Sequence, residues 1–122
     1  MPKVAPDAMI DAALDYVAGA TVMHACSTLD ATPTLAEVTT ASLADVAMAG
    51  GDYTKADGDT SGRKVTVAAK SGVNVDASGT ANHIALVDGS VVRYVTTCTS
   101  QALTSGNTVN FPAWKIEIAD PA

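Results

Sequence analysis

The sequence predicts a mainly β domain, an antiparallel β-sandwich-like fold with one N-terminal helix. Three observations predict it. Apolar and polar residues alternate through much of the second half of the chain, and turn residues punctuate that alternation about every ten residues. The clearest helical periodicity lies ahead of Gly19. A chain of 122 residues makes one domain, 1–122. Within it we expect an arm over 1–6, a helix over 7–18 and a β-rich core over 21–119.

The helix is predicted from Met9, Ile10, Ala13, Leu14 and Val17, which share one face at helical spacing. Asp7 is placed to cap it and Gly19 to end it. Asp7, Asp11 and Asp15 form another stripe, expected to be solvated. Thr21 to Ser27 reads as a strand, with Val22, His24 and Cys26 on one side. Leu35 to Met48 fits neither period cleanly: its Thr39-Thr40 pair favours strand and its alanines favour helix, and extended structure is expected. Gly50 to Gly62 reads as the loop-rich centre.

Beyond it the β pattern is clear. Lys64 to Lys70 alternates, Ser71-Gly72 interrupts, and Val73 to Val75 is a further short strand. Ala81 to Val87 and Val91 to Thr97 flank Asp88-Gly89, the dipeptide of a type I′ hairpin turn with positive φ. Ser105-Gly106-Asn107 marks another turn before Thr108 to Phe111. In the last strand, Ala113 to Ala119, Trp114, Ile116 and Ile118 share a core-facing side and Lys115 and Glu117 the other.

Composition narrows the function. The chain holds 23 Ala, 14 Val and 23 Ser plus Thr but only five aromatic residues, Tyr16, Tyr53, Tyr94, Phe111 and Trp114. Small side chains suit thin, closely packed sheets and argue against a deep ligand cleft. Seven basic residues against thirteen acidic leave a net charge of −6. The basic residues are scattered, which argues against nucleic-acid binding. No apolar run reaches the roughly 18 residues of a membrane span. The opening Met1-Pro2-Lys3-Val4-Ala5-Pro6-Asp7 lacks a signal-peptide core, so synthesis in a cytoplasm is expected.

Candidate chemistry is sparse. His24 and Cys26 share a strand face, a pairing usual at i and i+2, and no nucleophile, metalloprotease, P-loop or dinucleotide motif occurs. We therefore expect no catalytic residue, no cofactor and no enzyme. Asp57-Gly58-Asp59-Thr60-Ser61-Gly62 matches the opening of a calcium loop, making Asp57, Asp59 and Ser61 the weak metal candidates. Its twelfth position is Ala68, where a bidentate Glu is needed, and an ordinary Asp/Gly turn accounts for the segment. The two cysteines, Cys26 and Cys98, are either buried free thiols or a disulfide within or between chains; a bridge needs Cα atoms within about 7 Å. Thr96, Thr97, Thr99, Ser100 and Thr104 form a hydroxyl-rich run that strand propensity explains. Pro2, Lys3, Val4, Ala5 and Pro6 are the candidate interface arm.

Several segments carry a resemblance. Leu43 to Ala47, Gly58 to Ala68 (Gly-Asp-Thr-Ser-Gly-Arg-Lys-Val-Thr-Val-Ala), Gly79 to Asp88 (Gly-Thr-Ala-Asn-His-Ile-Ala-Leu-Val-Asp) and Phe111 to Pro121 (Phe-Pro-Ala-Trp-Lys-Ile-Glu-Ile-Ala-Asp-Pro) resemble a family of small proteins encoded in tailed bacteriophages and prophages. The early helix, Cys26-Ser27 and Pro33-Thr34 fit the same pattern. The resemblance implies a virion structural protein and carries over no catalytic residue. It implies a capsid decoration or cement protein on the head exterior, or a neck, collar or tail subunit; a host-surface-binding module is a further alternative. The partners would be the major capsid protein or neck and tail proteins, and further copies of the chain.

Overall fold

In a computed structural model, which describes residues 6–119, the chain is mainly β, with antiparallel sheets and an N-terminal helix. Helix α1 (Asp7–Ala18) turns Ile10, Leu14 and Val17 inward. The Asp7 cap is not made. Pro6 occupies the cap position, and its carbonyl accepts from the Met9 and Ile10 N–H groups at 3.0 and 3.3 Å. Asp7 sits one residue further in, where a carboxylate still complements the helix dipole. Met9, expected in the core, is 61% exposed, because it lies at the margin of the buried stripe.

Strand β1 (Val22–Cys26) follows, and then the first large departure. Leu35 to Met48 is helix before it is strand: α2 (Leu35–Ala41) runs directly into β2 (Ser42–Ala47). The β-rich core thus contains a second helix. Thr34 is the reason, since its hydroxyl accepts from the Glu37 N–H at 3.2 Å while the Glu37 carboxylate accepts from the Thr34 N–H at 3.1 Å. This reciprocal capping box satisfies two otherwise orphaned donors and overrides the strand preference of Thr39-Thr40.

The expected central loop is the second departure. After a 3-10 turn at Gly50–Asp52 comes β3 (Tyr53–Asp57), paired antiparallel with β4 (Arg63–Val67). Tyr53 anchors β3: its ring is buried and its hydroxyl donates to the Ala20 carbonyl at 2.9 Å. β4 ends at Val67, short of Lys70. In β5 (Lys70–Asn74), Ser71-Gly72 is a bulge within the strand and not a break between strands, with Gly72 at φ +67°. The remaining strands are β6 (Gly79–Val87), β7 (Val92–Leu103), β8 (Thr108–Phe111) and β9 (Trp114–Ile118).

The β6–β7 turn is not type I′. Gly89 has no positive φ; only Gly62, Gly72 and Gly106 do among the described residues. The Asp88 carboxylate instead accepts from the Ser90 and Val91 N–H groups at 2.6 and 2.8 Å, which closes the turn from its side chain.

The strands form three antiparallel sheets, ordered β2-β1-β6-β7, β3-β4-β9 and β5-β8. A lone bridge between Ala44 and Val75 joins the first to the third. All three sheets and α1 contribute to one core, in which Ile10, Leu14, Met23, Val65, Val67 and Leu86 lose almost all contact with water. The other face of the first sheet holds a smaller cluster, Cys26, Ala85 and Val87, lidded by Val38 of α2. The acidic stripe of α1 is only partly free. Asp11 pairs with Arg63 at 3.0 Å and Asp15 with Lys55 at 2.6 Å, which fastens the helix over β3 and β4.

Candidate functional site

His24 and Cys26, the pair on one strand face that could do covalent chemistry, are held in unreactive states. His24 lies across from Asp45 in the β1–β2 register, with its Nδ1 2.8 Å from the Ser42 hydroxyl. Burial lowers its pKa despite the nearby Asp45 carboxylate. Cys26 is fully buried and its thiol faces the Val38 carbonyl at 3.8 Å. Burial foremost pushes that thiol up to about 12, so it carries no thiolate at neutral pH. The two side chains share a sheet face without forming a nucleophile–base pair.

Cys26 and Cys98 are free thiols, and sheet order explains why they do not bridge within the chain. β6 lies between β1 and β7. Two inter-strand spacings separate the cysteine strands by roughly 9–10 Å, past the Cα reach of a disulfide, about 7 Å. Cys98 is exposed at the sheet edge.

At the candidate calcium loop, two carboxylates are already engaged. Asp57 pairs with Arg63 at 2.8 Å, and Asp59 holds both Lys64, at 2.7 Å, and Lys115. These cations neutralise the charge that a divalent ion would need. The loop is also a tight β3–β4 hairpin: Gly62 has φ +68°, and a Cβ there would run into the Ile118 carbonyl. Of the candidate arm, Pro2, Lys3, Val4 and Ala5 lie outside the described residues. Pro6 is exposed and starts α1.

The feature that sequence reasoning missed is β7 and the space beneath it. β7 is twelve residues long and forms an outer edge of the four-stranded sheet. Its stretch from Thr97 to Ala102 is exposed. A cleft of about 520 Å³ opens between it and the β8–β9 segment, contrary to the expectation from composition. Its walls include Ile84, Thr96, Cys98, Phe111, Pro112 and Trp114. The Trp114 ring stacks on Tyr94 with centroids 6.0 Å apart, and its Nε1 is buried without an acceptor among the described residues. The hydroxyl-rich run thus lies along an open strand edge beside a mostly apolar cleft. One sequence signal could have found it: no Gly, Pro, Asn or Asp interrupts Val92 to Leu103.

This arrangement can bind extended backbone and apolar side chains. The cleft contains no paired acid and base, and no group of three or more metal-ligating side chains occurs among the described residues. No protein-family model matches the chain, nor does any curated protein or solved structure.

Proposed function

We propose that this chain is a non-enzymatic structural component of a tailed-phage particle, a decoration protein that binds the head exterior. The observation that supports this reading most directly is the long β7 edge, exposed from Thr97 to Ala102 and without charge from Tyr94 onward, above a mostly apolar cleft that holds no paired acid and base. The resemblance of Gly58–Ala68, Gly79–Asp88 and Phe111–Pro121 to small phage proteins gives the class of particle. A cement protein works by burying apolar area where shell subunits meet, and the gain repeats at every lattice site. It requires a firm core and an adhesive surface, which a β domain with a long exposed strand beside an apolar cleft provides.

Antibody labelling of intact virions, read by electron microscopy, tests the proposal. Label distributed over the head is the expected result. Label confined to the neck or tail would transfer the protein to the connector or tail and overturn the decoration reading. Absence of the protein from a mass-spectrometric inventory of the particle would overturn the virion reading itself.

A further inference from the structure

We infer that the cleft between β7 and the β8–β9 segment is a binding site for a small, neutral, mostly apolar molecule with polar groups along one edge. The inference goes beyond the particle assignment and does not depend on it.

The space is built into the fold. Protein interiors pack so closely that voids larger than a water molecule are few, yet about 520 Å³ stays open between the first sheet and the β8–β9 segment. That volume falls within the roughly 300–1,000 Å³ of small-molecule sites. The first sheet contributes Ala25 and Ala81, both buried, where larger side chains would close the space. The β8–β9 segment contributes Phe111, Pro112 and Trp114. Trp114 is braced by its stack on Tyr94, so the aromatic wall is in place before any ligand arrives. Neighbouring residues of a regular strand point to opposite faces. Thr96, Thr97, Cys98 and Thr99 nevertheless all border the cleft. They do so at a bulge: Thr97 pairs with His83 and Gln101 with Ala81, so Cys98, Thr99 and Ser100 oppose the single residue Asn82. Bulges recur next to active sites because they re-aim side chains.

The lining sets the ligand's chemistry. Lys115 is the only charged residue on the walls among the described residues, and Asp59 and Glu117 already hold it. A charged ligand would leave water without gaining a counter-ion. An anion would also meet the chain's net charge of −6. The polar side chains are concentrated on β7, as the hydroxyls of Thr96, Thr97 and Thr99 and the amide of Gln101. On β8, Asn110 spends its carbonyl oxygen on the Gly72 N–H at 2.9 Å. A molecule that is apolar toward Phe111 and Trp114 and polar toward β7 therefore matches both walls.

The test titrates the full-length chain with N-phenyl-1-naphthylamine, a neutral aromatic probe, and follows the emission of Trp114, the only tryptophan. Saturable quenching at one probe per chain is expected. The same skeleton bearing a sulfonate, 8-anilino-1-naphthalenesulfonate, should bind about tenfold more weakly or worse. With the neutral probe bound, NMR shift changes should gather at Ile84, Thr96 to Thr99, Val109 and Trp114. Thr96→Phe puts a ring into the cleft and should weaken the neutral probe about tenfold or more. Thr54→Phe, on the exposed β3 edge, is the matched control and should leave its affinity unchanged. Circular dichroism establishes that both variants fold, and if Thr96→Phe does not, the NMR map decides alone. Absence of saturable quenching overturns the inference, as do shift changes centred elsewhere, an affinity indifferent to Thr96→Phe or one lost in Thr54→Phe. Equal or tighter binding of the sulfonate overturns the neutral class. None of these results alters where antibodies label the particle, so the two readings fail separately.

Discussion

The guanidinium of Arg93 lies over the ring of Tyr16, 4.5 Å from its centroid, while its Nη1 donates to the Tyr16 carbonyl at 2.7 Å. One side chain therefore clamps the C-terminal turn of α1 to the start of β7 and also holds Asp88 in the β6–β7 turn. Gly19 makes room for it, because a Cβ there would come within 3.0 Å of Nη1. Arg93→Ala should lower stability by about 1–2 kcal/mol, through lost cation–π and helix C-terminal contacts. Arg93→Lys should recover only part, since an ammonium cannot span both partners. Urea denaturation of the three proteins measures this; equal stabilities would show the clamp to be inconsequential.

Asp45 and Asp76 meet where the Ala44–Val75 bridge joins two sheets. Their mutual hydrogen bond is the main cause that raises the Asp45 pKa above 3.8; burial adds to it and His24 opposes it. A carboxyl with a raised pKa in the fold contributes stability when protonated. That contribution is full below 3.8 and is lost as pH rises through the raised value. Asp45→Asn should therefore raise the melting temperature at neutral pH, with the difference closing near about pH 3. Asp52 has the opposite sign. The Ala49 N–H foremost, then Lys70, lowers its pKa, so its contribution is present above 3.8 and lost as pH falls through the lowered value. Asp52→Asn should destabilise at neutral pH and be silent in strong acid.

The two thiols should react very differently. Native protein treated with iodoacetamide at neutral pH should be alkylated at Cys98 alone, because Cys26 is fully buried and its thiol is pushed up to about 12. Unfolding should expose both. Peptide mass mapping reads the outcome, and a Cys26–Cys98 peptide pair in the untreated native chain would contradict the sheet order.

Glycines should sort by backbone and surroundings. Gly62→Ala meets both a positive φ and the Ile118 carbonyl, and should cost about 2–3 kcal/mol. Gly89→Ala meets neither and should change stability by less than about 0.5 kcal/mol. Thermal melts of the pair, with the hairpin signals followed by NMR, distinguish these cases.

Where local signals were strong, the sequence was readable. Alternation placed β1, β6 and β9, although Ile118, expected to face the core, is 37% exposed at the end of β9, and helical spacing placed α1 with Ile10, Leu14 and Val17 inward. The signal for α2 stood in the sequence as Thr34 and Glu37 at capping-box spacing, but the expectation of extended structure rested on the β-branched Thr39-Thr40 and passed over it. β3 was less so: Tyr-Thr-Lys-Ala-Asp has little pattern of its own, and it becomes a strand because β4 supplies hydrogen bonds and Ala20 accepts the Tyr53 hydroxyl.

The sequence by itself determined the mainly β class, the N-terminal helix and the scarcity of reactive groups, because periodicity and composition are local properties. Tertiary structure alone decided three further matters. Strand order sets Cys26 and Cys98 apart, since β6 comes between their strands. Lysines and an arginine from separate segments claim Asp57 and Asp59. β7 is left at an edge, above a cleft that residues distant in sequence enclose. Each depends on which strand lies beside which, and that is fixed only when the whole core closes.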